Sequence, residues 1–161
     1  VCIETFHEAA RLHSIPQTTE QAQYSLPFSV AAALCRGTIG VAEVGPEGYG
    51  DPQIIALARR ITTRETPAFD AAFPAQRFAV AEITLTSGQV LRSAVTEALG
   101  DPEDPIPAQG IAEKFDRLAG PVIGTVAAVA LRDRIAALQQ GASASEIIEA
   151  MARAPHRDAS C

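Results

Sequence analysis

Apolar and polar positions fall in blocks whose period changes several times along the chain. The run Pro16–Gly37, PQTTEQAQYSLPFSVAAALCRG, sets a polar lead-in, Thr18 to Tyr24, directly before an apolar stretch. Ser25 is placed to cap a helix by accepting a bond from an unpaired backbone N–H. Pro27 has no N–H and is tolerated only in the first turn. Val30, Ala31, Ala32, Ala33, Leu34 and Cys35 are small or apolar all round, which predicts a buried helix over Ser25–Arg36, stopped by Gly37. The polar segment Thr18–Tyr24 is then expected at the mouth of a helix N-terminus, where unpaired N–H groups and the helix dipole favour an anion.

The remaining elements follow from the same patterning. Cys2, Ile3, Thr5 and Phe6 suit a strand, while His7–Ile15 stays open between a strand extension, a loop and a short helix. Thr38–Tyr49 reads as a glycine-rich loop holding Pro46. Asp51 is a good N-cap with Pro52 behind it, and Ile54, Ile55, Leu57, Ala58 and Ile61 follow at helical spacing. Thr62–Thr66 suits a strand, and Pro67–Gln76 a loop. Phe78, Val80, Ile83 and Leu85, the turn Thr86-Ser87-Gly88-Gln89 and the return Val90–Val95 form a β-hairpin. Gly100–Pro107 is a loop, Ala108–Ala119 a helix, and Pro121–Gln139 a long helix broken at Gly141. Ser143 or Ser145 caps a last helix ending near Ala154. The expected class is α+β: a small, mainly antiparallel sheet of three or four strands with helices packed beside it and C-terminal helices. It is expected as a single domain over residues 1–155, with 156–161 a frayed tail.

Composition narrows the partners. The chain has 161 residues, 47% apolar and 20% charged, with a net charge of −6. No basic stripe exists to displace phosphate counterions, so a nucleic-acid partner is not expected. Lys114 is the only lysine, and arginine, the better bidentate carboxylate binder, supplies the remaining fixed positive charge. Cys2, Cys35 and Cys161 fit neither a zinc site nor a disulfide framework, and Cys35 is expected buried on its helix. The apolar run Gly120–Leu131 ends at Arg132, Asp133 and Arg134, too short to span a bilayer. No membrane partner is expected, and no signal peptide is visible, which makes a cytoplasmic location the default. The chain opens mid-strand at Val1 without methionine, as expected for part of a longer protein.

The Pro16–Gly37 run resembles the signature of the 2-methylcitrate dehydratase (MmgE/PrpD) family, which often reads P-x-T-x-x-E-A-K-F-S-L-P-Y-x-V-A-A-A-L-L-x-G. Asp51-Pro52-Gln53-Ile54 with Leu57 is similar to the family's D-P-x-V-x-x-L. Ser87-Gly88 stands where it has D-G. Gly100-Asp101-Pro102 through Pro105 resembles G-x-P-x-x-P-L, and Glu113-Lys114-Phe115 resembles its x-K-F helix. These landmarks fall in order over roughly Val1–Leu118. The resemblance implies the C-terminal domain of a longer protein that caps a helical N-terminal domain, with an active site in the cleft between them. It implies cofactor-free proton abstraction next to a carboxylate on a small di- or tricarboxylate, by a lyase or an isomerase. The family's acid–base residues lie in the helical domain or in a K-x-Y-P-x-C-x-x-x-H segment, neither of which occurs here. No catalytic residue is therefore assigned in this chain, and the chain alone is expected to be inactive. A domain cut from its partner would expose an apolar face, so a homo-oligomer is expected.

The substrate-binding candidates are Gln23, Tyr24, Ser25 and Phe28. Phe28 stands at the position of a tyrosine that faces the active site in some family members, and Gln23 replaces a common lysine. Tyr24 offers a phenol four residues before Phe28, the alternative being a packed aromatic with its hydroxyl at the surface. These departures leave open a non-catalytic binding or assembly module that keeps the fold without the chemistry. His7 and His13 flank Arg11, either as a cationic pocket or as surface histidines, and His156 falls in the tail. Lys114, beside Glu113 and Asp116, reads as a solvated or locally paired charge. Asp101, Glu103 and Asp104 lack the ligand ladder of a calcium loop. Gly45-x-x-Gly48-x-Gly50 lacks the strand and the lysine of a phosphate loop. Neither a cofactor nor a metal is expected.

Overall fold

In a computed structural model the structure describes residues 1–102 and 104–153. The expected tail, with His156 and Cys161, and Glu103 of the acidic loop lie outside the described residues. The chain divides into two compact units, Val1–Ala98 and Leu99–Cys161.

The first unit holds a five-stranded sheet: β1 (Cys2–Thr5), β2 (Thr62–Glu65), β3 (Phe78–Thr84), β4 (Val90–Arg92) and β5 (Thr96–Glu97). The strand order is β2-β1-β3-β4, with β5 continuing beside β3. β1 runs parallel to β2 and antiparallel to β3, so the sheet is mainly antiparallel and the class is α+β as expected. Parallel neighbours need a long crossover. Here it carries six helices: α1 (His7–Ala10), α2 (Thr19–Gln23), α3 (Leu26–Arg36), α4 (Val41–Val44), α5 (Pro46–Tyr49) and α6 (Pro52–Ala58). A further short helix, α7 (Pro67–Ala72), lies within the segment expected to be a loop.

α3 forms as its sequence dictates, with Ser25 as N-cap, Pro27 in the first turn and Gly37 left-handed at φ 74°. Its Phe28, Ala31 and Ala32 pack with Ala22 of α2, Ile54 and Ala58 of α6, Ile3 of β1 and Ile61. Alanines on this seam let α3 and α6 approach closely, and Phe28 and Ile54 fill the space between. The expectation of burial all round is corrected. Phe28, Ala31 and Ala32 are buried in the core and Leu26 and Val30 pack half-buried against it, whereas Ala33 and Leu34 are exposed. Cys35, expected to be buried, stands in the last turn beyond the core and is exposed.

Asp51 caps α6 by accepting from the N–H of Gln53 (2.8 Å) and of Ile54 (3.5 Å). It also pairs with Arg36 at the end of α3. Those backbone donors, helped by the guanidinium, hold its carboxyl below the usual aspartate range. The expected Thr38–Tyr49 loop instead holds α4 and α5, folded so tightly that a Cβ on Gly48 would sit 1.8 Å from the Glu43 carbonyl oxygen.

Strand alternation puts Ile3, Thr5 and Ala81 on one face of the sheet and Glu4, Arg64, Val80, Glu82 and Arg92 on the other. Glu4, 7% exposed, is the focus of that second face. Arg92 grips it bidentately, Nη1 to Oε1 at 2.8 Å and Nη2 to Oε2 at 2.6 Å. Arg64 from β2 donates to the same Oε1, and Glu82 accepts from Arg92 Nη1 at 3.1 Å. The bonds from Arg92, then Arg64, outweigh burial and pull the Glu4 carboxyl from 4.5 down to about 2.

The second unit is helical: α8 (Ala108–Ile123), α9 (Thr125–Ala137) with a 3-10 turn over Leu138–Gln140, and α10 (Ala144–Arg153). α8 and α10 each pack against α9. The long helix expected from Pro121 is corrected: α8 runs through Pro121, and the break falls at Gly124, whose φ of 86° leaves the helical region. Arg132 of α9 pairs with Asp116 of α8. Among the described residues of this unit, Ala128 alone is buried.

Because the carboxyl of Glu4 titrates lower in the folded chain than in the unfolded one, its contribution is complete above about pH 4.5 and fades as pH falls towards 2. Urea unfolding across that window should therefore show a steep acid loss of stability that Glu4→Gln flattens. Gly48→Ala should destabilise the first unit by about 1–3 kcal/mol, the usual cost of overpacking, read as a lower midpoint in the same assay.

Candidate functional site

The hinge between α2 and α3 is built from its own side chains. Thr18 caps α2 by accepting from the Gln21 N–H at 3.3 Å, and Gln21 Oε1 accepts from the Gln17 N–H at 2.8 Å. The expected polar lead-in is therefore a short helix. Tyr24 closes it, its N–H reaching the Glu20 carbonyl at 3.2 Å. The chain then turns at Ser25, whose hydroxyl donates to the Ser14 carbonyl at 2.5 Å and accepts from the Phe28 N–H at 3.3 Å. Next door, the Leu26 N–H bonds the Leu12 carbonyl at 2.8 Å.

These bonds settle what the start of α3 can do. Leu26 N–H is taken by Leu12, Pro27 has none, Phe28 N–H is taken by Ser25, and Ser29 N–H by the Ser25 carbonyl at 3.0 Å. The expected anion seat at this helix end is thus corrected: every donor of its first turn is already used. The four candidate residues also separate. Ser25 and Phe28 are 1% and 0% exposed, whereas Gln23 is exposed and Tyr24 is 68% exposed. Tyr24 ends one helix and Phe28 lies in the next, so they do not share a helix face. The pair that reaches solvent is Gln23 and Tyr24, and Ser25 and Phe28 fix its position from below.

Other candidates are dispersed. His7 is drawn to two carboxylates, its N–H donating to Asp70 Oδ1 at 2.6 Å and its Nδ1 lying 3.1 Å from Glu65 Oε2. It is therefore not free to form a pocket with Arg11 and His13, which flank Leu12 and are exposed. Lys114 is exposed on α8, one residue past Glu113, which accepts from Gln109 Nε2 at 2.9 Å. Asp101 and Asp104 belong to a backbone turn in which Asp104 N–H bonds the Asp101 carbonyl at 3.0 Å. Among the described residues no group of three His, Cys, Asp or Glu side chains is arranged to hold a metal. No helix there is long and apolar enough to cross a membrane.

Two features escaped the sequence reading. One is the Glu4–Arg64–Arg92–Glu82 cluster, whose only signal is a charge inside a short apolar strand. The other is a cavity of about 160 Å³ lined by Arg36, Ala42, Glu43, Glu47, Gly48 and Ile54. Its lining comes from segments expected to be loop and helix separately, so spacing gave no hint of it.

The MmgE/PrpD C-terminal domain family matches residues 1–140, and the chain belongs to that family. No match is found among curated proteins.

Removing the hinge hydroxyl with Ser25→Ala should cost about 1–2 kcal/mol of stability, the scale of a lost N-cap. Tyr24→Phe, at an exposed position, should stay within about 0.5 kcal/mol of the parent. Urea denaturation of the two variants side by side checks both.

Proposed function

We propose that this chain is the C-terminal cap of a cofactor-free lyase or isomerase that abstracts a proton next to a carboxylate on a small di- or tricarboxylate. The family match over residues 1–140 is the observation that carries this reading. The base and the groups that hold the developing enolate-like charge belong to the helical N-terminal domain of the same protein. This chain contributes the wall of the cleft, with Gln23 and Tyr24 meeting the substrate and Ser25 and Phe28 positioning them. Loss of water or carbon dioxide after proton removal makes the enzyme a lyase; return of the proton to the other face makes it an isomerase. Cytoplasmic location and homo-oligomeric assembly complete the proposal.

A second reading is a binding or assembly module without chemistry. Two residues favour it: the neutral Gln23 in place of a lysine, and Phe28, without a hydroxyl and wholly inside the core.

Proton exchange separates the two. The native gene product carrying this chain is incubated in deuterated buffer with a panel of small di- and tricarboxylates and followed by proton NMR. Loss of the signal beside a carboxylate, or growth of an alkene product, is the expected result. Silence across the panel, with the folded protein present, would leave only the binding module.

A further inference from the structure

We infer that strand β4, the free margin of the sheet, pairs antiparallel with β4 of a second copy of this chain about a two-fold axis at Leu91. The inference rests on the homo-oligomer of the reading above and not on its chemistry. The order β2-β1-β3-β4 leaves β4 without a neighbour on its outer side among the described residues. The phase of the ladder decides which groups are open there. Gln89 gives its carbonyl to the Leu85 N–H at 2.8 Å, and the Ser93 N–H reaches the Ala81 carbonyl at 2.9 Å. Gln89, Leu91 and Ser93 therefore turn their backbones toward β3, while the N–H and C=O of Val90 and Arg92 turn outward. Such a row of open groups is a template for another strand.

Sheet margins are commonly guarded by proline or by free charge, and this one is not. From Gln89 to Val95 the sequence holds no proline, and its one charged residue, Arg92, is already bound to Glu4 and Glu82. Val90 is 53% and Leu91 45% exposed. The opposite margin is polar: β2 reads Thr62-Thr63-Arg64-Glu65, and Thr63 donates its hydroxyl to the Ala10 carbonyl. The two margins do not match each other, whereas β4 matches itself. An axis at Arg92 would set two arginines opposite each other. An axis at Val90 would set Arg92 against Gly88, whose N–H is already bound to Leu85. An axis at Leu91 sets Val90 of each copy against Arg92 of the other, so every outward N–H and C=O of β4 finds a partner. It also places Leu91 against its twin on one face and lays Val90 along the methylene stem of Arg92 on the other. Because β2 offers no second matching edge, the pairing closes a dimer rather than growing a filament.

Self-association of the native gene product is measured by analytical ultracentrifugation. Val90→Pro removes an N–H that β3 does not use, and the two-fold axis repeats the loss, so association should weaken about tenfold or more. Circular dichroism and a parent-like urea midpoint confirm the fold; if Val90→Pro does not fold, a cysteine pair decides alone. Opposite residues of a non-hydrogen-bonded antiparallel pair stand about 4.5 Å apart between Cα atoms, within a disulfide's reach. With Cys2, Cys35 and Cys161 changed to serine, Leu91→Cys should link two chains on oxidation. Leu85→Cys, at a position 40% exposed on the same hairpin, should not. Parent-like association by folded Val90→Pro, or linking at Leu85 equal to that at Leu91, overturns the inference and leaves the homo-oligomer to another surface. A parent that stays monomeric sinks both. A protein that passes both tests yet exchanges no proton supports the inference while sinking the enzymatic reading alone.

Discussion

One carboxylate organises the sheet. Glu4 sits on the central strand β1, and its two oxygens are shared between Arg64 of β2 and Arg92 of β4. A carboxylate this sheltered is tolerable only when paired and fully hydrogen-bonded. That requirement fixes register: a slip of one residue would turn Glu4 to the helix-covered face and Ile3 to the charged one. The strands themselves are short, and β4 and β5 are fragments of one return path beside β3. A directional contact that reaches across the sheet compensates for how little ladder each strand provides.

On the opposite face the same strand presents Ile3 to a core made largely of alanine with Phe28 and Ile54. That core ties the hinge to the sheet. Phe28, the largest fully buried side chain, lies in the first turn of α3, so the position of the α2–α3 turn follows from where its ring is buried. Ser25 then spends both of its hydrogen-bonding roles internally. The outcome is a hydrogen-bonded base from which the side chains of Gln23 and Tyr24 reach solvent.

Legibility followed the range of the interactions. α3 and α6 were readable because Ser25, Pro27, Gly37, Asp51 and Pro52 act on their own neighbours in sequence. The hairpin was readable for the same reason, through Ser87 and Gly88. Expectation failed where distant partners decide. Nothing local distinguishes Cys35 from Ala31, yet one lies past the edge of the core and the other within it. Gly40, Gly45 and Gly50 flank α4 and α5 and mimic a loop, but Gly48 is there because the Glu43 backbone passes too close for a side chain. At the candidate site, Gln23 and Tyr24 are candidates through a family motif alone. Their surroundings, Leu12 and Ser14 folded over the hinge, depend on pairings that no spacing encodes.

The separation of the Glu4 contacts along the chain sets an order of events in the cell. Its partners lie 60 and 88 residues downstream. While a ribosome is still making the crossover helices, β1 has left the exit tunnel with its carboxylate unpaired and its ladder empty. Local helices such as α3 and α6 can form at once, whereas the sheet must wait for Arg92 to emerge. The central strand is therefore made early and satisfied late, the situation in which non-local pairing is slow and an unpaired strand is most open to wrong partners.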